Sequence, residues 1–595
     1  MLTVSEYIVQ YLKGKGIDTA FAVIGSTAMW LFNALGKEKG IHSICTNHEQ
    51  SAVMAADGWS CITGKPGIVF LTNGPGVTNA LSGLAQAWTD SVPLIVINGE
   101  SKSSVVQHEI NTGMRQYGPQ SVRTDIIVSP FVKYYHFIDN PLDTRKVLEK
   151  AYHIALEGRP GPVWISVPVD VQNVTVQDEI KEDEFLDTKA QMYDEEKLGI
   201  IQEMIVASKK PLIIAGQGIR QSHSKDMLGE FVQKYKIPIV TSRMGNDIIM
   251  SDNPLFVGRP GNWGNRAAHF AIQSADLILV LGSRLSLNTT GHTPSGFAPN
   301  AKKVVVDIDS LEFDKPGIDF DVCLNLDLNT FFSAMKNYDC FSVDMDVRFK
   351  WVKKCQDWKE KYPVVLESYK RKQPLSTYHF IDRLSLYSSP KDIILSDTGS
   401  CCNIVSQVWN VKENQRVLLS GGLSCMGYWV TAIGAASANK KCLDNNVICI
   451  VGDGSLQMNI QELGTIVHYN IPIKLIVINN NGYQIIRISQ ASYMHGQFFA
   501  ISPETGVGLA NTERIAKAYG IAYKKIITLQ EVDSCIKWAL EYNGPVVLEV
   551  VVAEDQIMLP RLTSKVQDDG TFKSAKYEDL APFLGEDELK ENLKG

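Results

Sequence analysis

No stretch of this sequence reaches the ~18 uncharged apolar residues that spanning a bilayer requires. The N-terminal segment MLTVSEYIVQYLKGKG mixes apolar and polar residues in the manner of an amphipathic helix and lacks the apolar core of a signal peptide. Neither sign of charge dominates. The 58 Lys and Arg set against 65 Asp and Glu leave a net charge of -7, so nothing suggests a nucleic acid or an acidic membrane as a partner. The 11 cysteines contain no C-x-x-C pair, and Cys401 adjoins Cys402. That pattern fits neither a disulfide framework nor a zinc site; reduced thiols in a cytoplasmic enzyme are expected. Short-period repeats and low-complexity tracts are also missing.

What is present is globular. Hydrophobic residues make up 45% of the 595 and charged residues 21%, enough for three or four domains at about 150 residues each. Short apolar runs alternate with helical patterns. GIVFLTN (67–73), PLIVING (93–99) and VWISVPVD (163–170) mark a first unit, with a helix expected over 79–90. PLIIAGQG (211–218), DLILVLGSR (276–284) and KVVVDIDS (303–310) mark a second; DIILSDTG (392–399), VICIVGDG (447–454) and KLIVINNN (474–481) mark a third. Runs rich in Val, Ile and Leu without alternation suit strands covered on both faces. The expected fold class is therefore α/β, three doubly wound parallel-sheet domains. Their boundaries are set at 1–172, 190–342 and 373–556, with a polar linker over 171–191, a charged connecting helix within 346–372 and a polar tail over 557–595.

The strongest chemical signal is VICIVGDGS followed by KLIVINNNG. One buried strand ends in Gly452-Asp453-Gly454, and Asn480 ends a second strand 27 residues beyond Asp453. With a crossover helix between them, expected over 458–469, both ends lie at the carboxyl edge of a parallel sheet, where open α/β sheets bind ligands. Asp453 and Asn480 offer two hard oxygens, which suit Mg²⁺ sharing its shell with water and phosphate. The glycines let the backbone approach a diphosphate, and a helix starting after Ser455 favours the anion.

The GDGS-x(23)-NNN pattern resembles the cofactor motif of thiamine-diphosphate enzymes, and the chain from about 3 to 555 resembles the acetolactate synthase branch. The resemblance implies pyrimidine-binding, central and diphosphate-binding domains in that order. It also implies Mg²⁺ held by Asp453, Asn480 and the carbonyl of Gly482, beside the diphosphate. Gly399 and Ser400 in SDTGS, and Gly452, Gly454 and Ser455, would then contact the diphosphate, with Tyr483 just beyond the metal turn. In SGGLSCMGYWV, Met426 would wedge between the cofactor rings and the backbone of Ser424 and Met426 would bond the pyrimidine edge. In NHEQSAVMAADG, Glu49 would contact N1′ of the aminopyrimidine and favour its imino tautomer. Gly25, His48 and Gln120 would line the substrate side, so the implied active site lies at a homodimer interface, in a dimer or tetramer.

The activity so implied is decarboxylation of a 2-oxo acid, pyruvate first, to an enamine that attacks a second carbonyl. Departures bear on that acceptor. Pro119-Gln120-Ser121 stands where synthases carry Phe-Gln-Glu, Asn47-His48-Glu49 where they carry Arg-His-Glu, and Tyr483 where they carry glutamine. The segment with Arg487 and Phe498-Phe499 looks more like relatives linked to unusual sugars. A nucleotide-linked keto-sugar acceptor, a simple decarboxylase, an oxidoreductase reading of the GxG strands and a silent paralogue are the rival readings. In synthases, the positions matching Gly216-Gln217-Gly218, Gly282-Ser283-Arg284 and Asp307-Ile308-Asp309 hold FAD, although VGRPGNWGNR (257–266) departs from the synthase sequence on the flavin side.

Overall fold

The structure, a computed structural model, describes residues 1–176, 193–339, 342–438, 445–566 and 572–594. Most of the expected linker at 171–191 lies outside them. Three six-stranded sheets form the frame, and their strand pairs are parallel.

Across the first sheet the strands run His42–Cys45, Thr19–Ala22, Gly67–Leu71, Leu94–Glu100, Val163–Pro168, Tyr134–Phe137. Across the third they run Arg416–Leu419, Ile393–Ser396, Val447–Gly452, Ile473–Asn479, Val546–Val551, Ala522–Ile526. Counted in chain order within each sheet, both read 2-1-3-4-6-5. The central sheet reads 3-2-1-4-5-6, the order of dinucleotide-binding folds. In each sheet the direction of winding reverses beside the first strand, which opens a crevice at the carboxyl edge. The first crevice opens between Ala22 and Leu71, the central one between Ala215 and Leu281, and the third between Ser396 and Gly452.

The first and third domains share one apolar core. Helices Glu49–Thr63 and Thr431–Ala438 cross there with their backbones almost touching. A side chain at Gly434 would collide with the Ala55 carbonyl, and one at Gly58 with the Thr431 carbonyl. Only glycine permits that approach.

Several expected bounds shift. The helix expected from residue 79 begins at Pro75, because Gly74 turns the chain at φ 62° and proline suits the first helical position. The crossover helix expected over 458–469 narrows to Glu462–His468, and the connecting helix is Met345–Lys361. The turn expected to precede a helix after Ser455 is itself helical, over Asp453–Leu456. The tail packs on the central domain. The Tyr577 ring stacks on His269 with centroids 4.1 Å apart, and its hydroxyl donates to the Thr289 carbonyl at 2.7 Å.

Candidate functional site

At the carboxyl edge of the third sheet, the strands Val447–Gly452 and Ile473–Asn479 pair side by side, Gly452 opposite Ile478. Their register sets Asp453 and Asn480 at neighbouring strand ends. Asp453 is buried; its Oδ1 accepts from the Gly454 amide at 2.8 Å and its Oδ2 from the Gly482 amide at 3.0 Å. Burial pushes the Asp453 pKa up to about 7 despite those bonds. Asn480 is also buried. Its Nδ2 donates to Gln484 Oε1 at 2.8 Å, whereas Oδ1 has no hydrogen-bond partner. A desolvated carboxylate beside an orphan amide oxygen is a donor set suited to a hard cation. Among the described residues, no three His, Cys, Asp or Glu side chains gather into a metal site. A cation here would rely on amide, backbone and ligand oxygens instead.

The turn after Asn480 is tightly determined. Asn481 and Gly482 take φ 56° and 129°, and a side chain at Gly482 would collide with the Ile501 carbonyl. Tyr483 donates its amide to that same carbonyl at 2.8 Å and lays its ring against Gly454, where a side chain would strike it. On the neighbouring strand, Gly399 turns the chain at φ 80° ahead of the helix Ser400–Val408. Nothing lies within 4 Å of a Cβ built at Gly399, and at Gly452 only Cys401 Sγ comes as near as 4.0 Å. The two glycines thus leave an open cradle beside Asp453. The Ser455 hydroxyl is engaged within the third domain. It donates to Asp397 Oδ2 at 2.6 Å and accepts from the Gly427 amide at 2.9 Å, which ties the 424–427 loop to the third sheet. In that loop Ser424 is exposed at φ 54° and Met426 is half-buried.

In the first domain, Glu49 opens the helix Glu49–Thr63, buried, with Oε2 accepting from Asn79 Nδ2 at 3.0 Å. His48 caps this helix, its Nδ1 accepting from the Gln50 amide at 3.2 Å. Asn47 donates its amide to both carboxylate oxygens of the fully buried Glu462, at 3.1 and 3.2 Å. The third domain therefore fixes the approach to Glu49. Gly25 sits against Thr72, and Gln120, at φ 58°, rests its backbone on Gly74. The structure brings these two residues to one crevice. Glu109 was invisible to sequence reasoning. Buried, it accepts from the amides of Tyr117 and Gly118 and from Ser121 Oγ, at 2.5, 2.9 and 2.6 Å, so it closes the loop that presents Gln120. Glu462 was missed as well, since a glutamate inside ELGTIV carries no mark of its partner.

The central crevice opens into a cavity of about 1140 Å³ lined by Gly218, Gly282, Arg284, Asp307, Trp263 and Asp90 among others. A side chain at Gly216 or Gly218 would collide with Gly282. Burial raises the Asp307 carboxyl to about 6. Asp90 lies where the three domains meet, accepting from the amides of Gly421 and Gly422 at 3.0 and 2.6 Å.

Three conserved-family descriptions match this chain in the same order as its sheets. They are the thiamine pyrophosphate enzyme N-terminal TPP binding domain over 2–123, its central domain over 199–334, and its C-terminal TPP binding domain over 397–550. The chain belongs to the thiamine-diphosphate-dependent enzymes, and within them to the acetolactate synthase-like family. The acetolactate synthase large subunit of Lactococcus lactis is 32% identical over 582 residues, covering 95% of each chain. The isozyme 1 large subunit of Escherichia coli is 29% identical, covering 94% of this chain and 95% of its own. The chloroplastic acetolactate synthase of Arabidopsis thaliana is 31% identical, covering 94% and 83%. Among the described residues no helix is long and apolar enough to cross a membrane.

Proposed function

We propose that this enzyme decarboxylates pyruvate and transfers the remaining two-carbon unit to a second carbonyl compound, using thiamine diphosphate and Mg²⁺. The observation that carries the reading is the buried Asp453 carboxylate beside the unpartnered Asn480 Oδ1. In this reading Asp453, Asn480 and the Gly482 carbonyl hold Mg²⁺. Gly399, Ser400, Gly452 and Gly454 cradle the diphosphate, and Ser455 braces the cradle through Asp397. Ser424, Met426 and Tyr483 flank the rings. Bound thiamine diphosphate supplies an electron sink for the pair released when carbon dioxide leaves.

The chain's own residues do the rest. Glu49, oriented by Asn79, holds or donates a proton at the aminopyrimidine of a cofactor bound to the partner subunit, so a homodimer is the minimal active unit. Gln120 and Gly25 line the substrate side, and His48 acts mainly by capping the Glu49 helix. A flavin or other adenine nucleotide would be held in the central cavity, where Gly216, Gly218 and Gly282 would allow close backbone approach and Asp307 would offer a carboxylate.

A nucleotide-linked keto-sugar is the second reading for the acceptor. It is favoured by Pro119-Gln120-Ser121 and by the exposed Phe498 and Phe499 beyond the metal turn. The test is incubation with pyruvate and a panel of 2-oxo acid, aldehyde and keto-sugar acceptors, read by mass spectrometry. Carbon dioxide release that depends on thiamine diphosphate and Mg²⁺, with one acceptor gaining a two-carbon unit, is expected. Absence of any carbon dioxide release would refute the reading.

A further inference from the structure

We propose that Arg487 is a positioning residue for the metal site: it orients the 481–482 peptide so that its amide points at Asp453. Arg487 lies one turn into the helix Gln484–Tyr493. Its side chain folds back along the chain rather than outward. Nη1 donates to the Asn480 carbonyl at 3.2 Å and to the Glu554 carbonyl at 3.1 Å, and Nη2 donates to the Asn481 carbonyl at 2.9 Å. Nη1 also pairs with Glu554 Oε2 at 3.1 Å. Three backbone carbonyls and one carboxylate thus converge on a single fork, whose planar donors suit such multiple acceptance.

The Asn481 carbonyl and the Gly482 amide belong to one peptide unit, which is planar and trans, so its C=O and N–H point in opposite directions. The carbonyl faces Arg487, and the amide therefore faces Asp453 Oδ2, where it donates at 3.0 Å. Turning that plane would take the amide off Asp453. The Asn480 carbonyl belongs to the preceding peptide unit and is held separately, by Nη1, so loss of the fork would release both units of the turn that follows the Asn480 side chain. Among the described residues, Arg487 supplies the side-chain donors to the Asn480 and Asn481 carbonyls, while the Asn481 amide donates to Asn479 Oδ1 at 3.1 Å. Asn481 sits at φ 56°, a left-handed conformation that asparagine tolerates better than other non-glycine residues. The arginine marked in the sequence as a departure from the synthases is thereby assigned to the metal turn and not to substrate.

The inference rests on Asp453 and Asn480 as Mg²⁺ ligands, and the experiment separates the two ideas. Full-length apoprotein is titrated with MgCl₂ at fixed thiamine diphosphate, following quenching of tryptophan fluorescence. Wild type, Arg487→Met, Arg487→Lys, Glu554→Gln and Asp453→Ala are compared. Loss of an outer-shell partner costs about 10- to 100-fold in metal affinity, so Arg487→Met should shift the Mg²⁺ midpoint by that factor. Its plateau should recover at high Mg²⁺, a behaviour that general misfolding does not produce. Lysine restores charge but not the fork, so Arg487→Lys should fall between wild type and Arg487→Met. Should Arg487→Met fail to fold, Arg487→Lys and the more exposed Glu554→Gln carry the test, each shifting the midpoint in the same direction. Midpoints at the wild-type value in the Arg487 and Glu554 variants, with Asp453→Ala shifted, would overturn the positioning role alone. An unshifted Asp453→Ala would overturn the metal reading and this inference together.

Discussion

The amide of Gly482 donates to Asp453 Oδ2 at 3.0 Å across 29 positions of sequence, joining the two halves of the proposed metal site. The geometry is prepared by the strand pair beneath it, whose register places Gly452 opposite Ile478. Substituting a direct ligand should exceed the ~10- to 100-fold loss typical of an outer-shell partner. Asp453→Asn is therefore expected to raise the Mg²⁺ requirement for thiamine diphosphate binding by more than that, measured by calorimetric titration. An unchanged requirement would remove Asp453 from the site.

Glu109 controls the loop bearing Gln120. Burial pushes its carboxyl up, but the bonds from Ser121, Gly118 and Tyr117 outweigh burial and hold it below the usual carboxylate range. A neutral Glu109→Gln keeps the shape and loses the charge-assisted bonds, each worth about 1.5–3 kcal/mol. With Gln120 left in a left-handed conformation that needs support, kcat/KM should fall by roughly tenfold or more. Affinity for thiamine diphosphate should stay at the wild-type value. Steady-state kinetics beside a cofactor titration checks this, and a parallel loss of cofactor affinity would count against a role confined to Gln120.

Asp247 joins the domains through Arg220 and Arg416, and Arg416 donates to the Cys61 carbonyl at 2.7 Å. Burial alone would raise the Asp247 carboxyl, yet the two guanidiniums win and hold it at about 2. Its folded pKa lies below the ~3.9 of an unfolded aspartate. The stabilisation is therefore present above pH ~4 and is lost as pH falls toward 2. Asp247→Asn should cost about 3–5 kcal/mol at pH 7, the penalty for breaking a buried pair. Urea denaturation at pH 7 and pH 3 tests the sign: the gap between variant and wild type should narrow at the lower pH.

Much of this was legible in the sequence because it is local. Gly452-Asp453-Gly454 and Asn480 announce themselves by strand ends and spacing, and the unbroken Val-Ile-Leu runs fall on the buried central strands. The helix start at Pro75 is encoded locally too, since Gly74 followed by proline is an initiation signal. What stayed hidden depends on distance along the chain. Asn47 meets Glu462 across 415 positions, and neither residue carries a periodic pattern that names the other. The matching strand orders of the first and third sheets are likewise a property of pairing, which strand–turn–helix grammar suggests without fixing. The tail showed no core of its own because its aromatic anchor, Tyr577, finds its apolar surroundings on the central domain.

Subunit complementation is the most direct test of a cofactor bound by one chain and activated by Glu49 of another. Glu49→Gln should lose several orders of magnitude in turnover while still binding thiamine diphosphate, and Asp453→Ala should lose the cofactor. Co-expressed with separable tags and purified as the mixed dimer, the two variants together form one site with both wild-type residues. Activity in the mixed dimer near half the wild-type value per dimer is the predicted result. A mixed dimer as inactive as its parents, with both chains folded, would contradict the account.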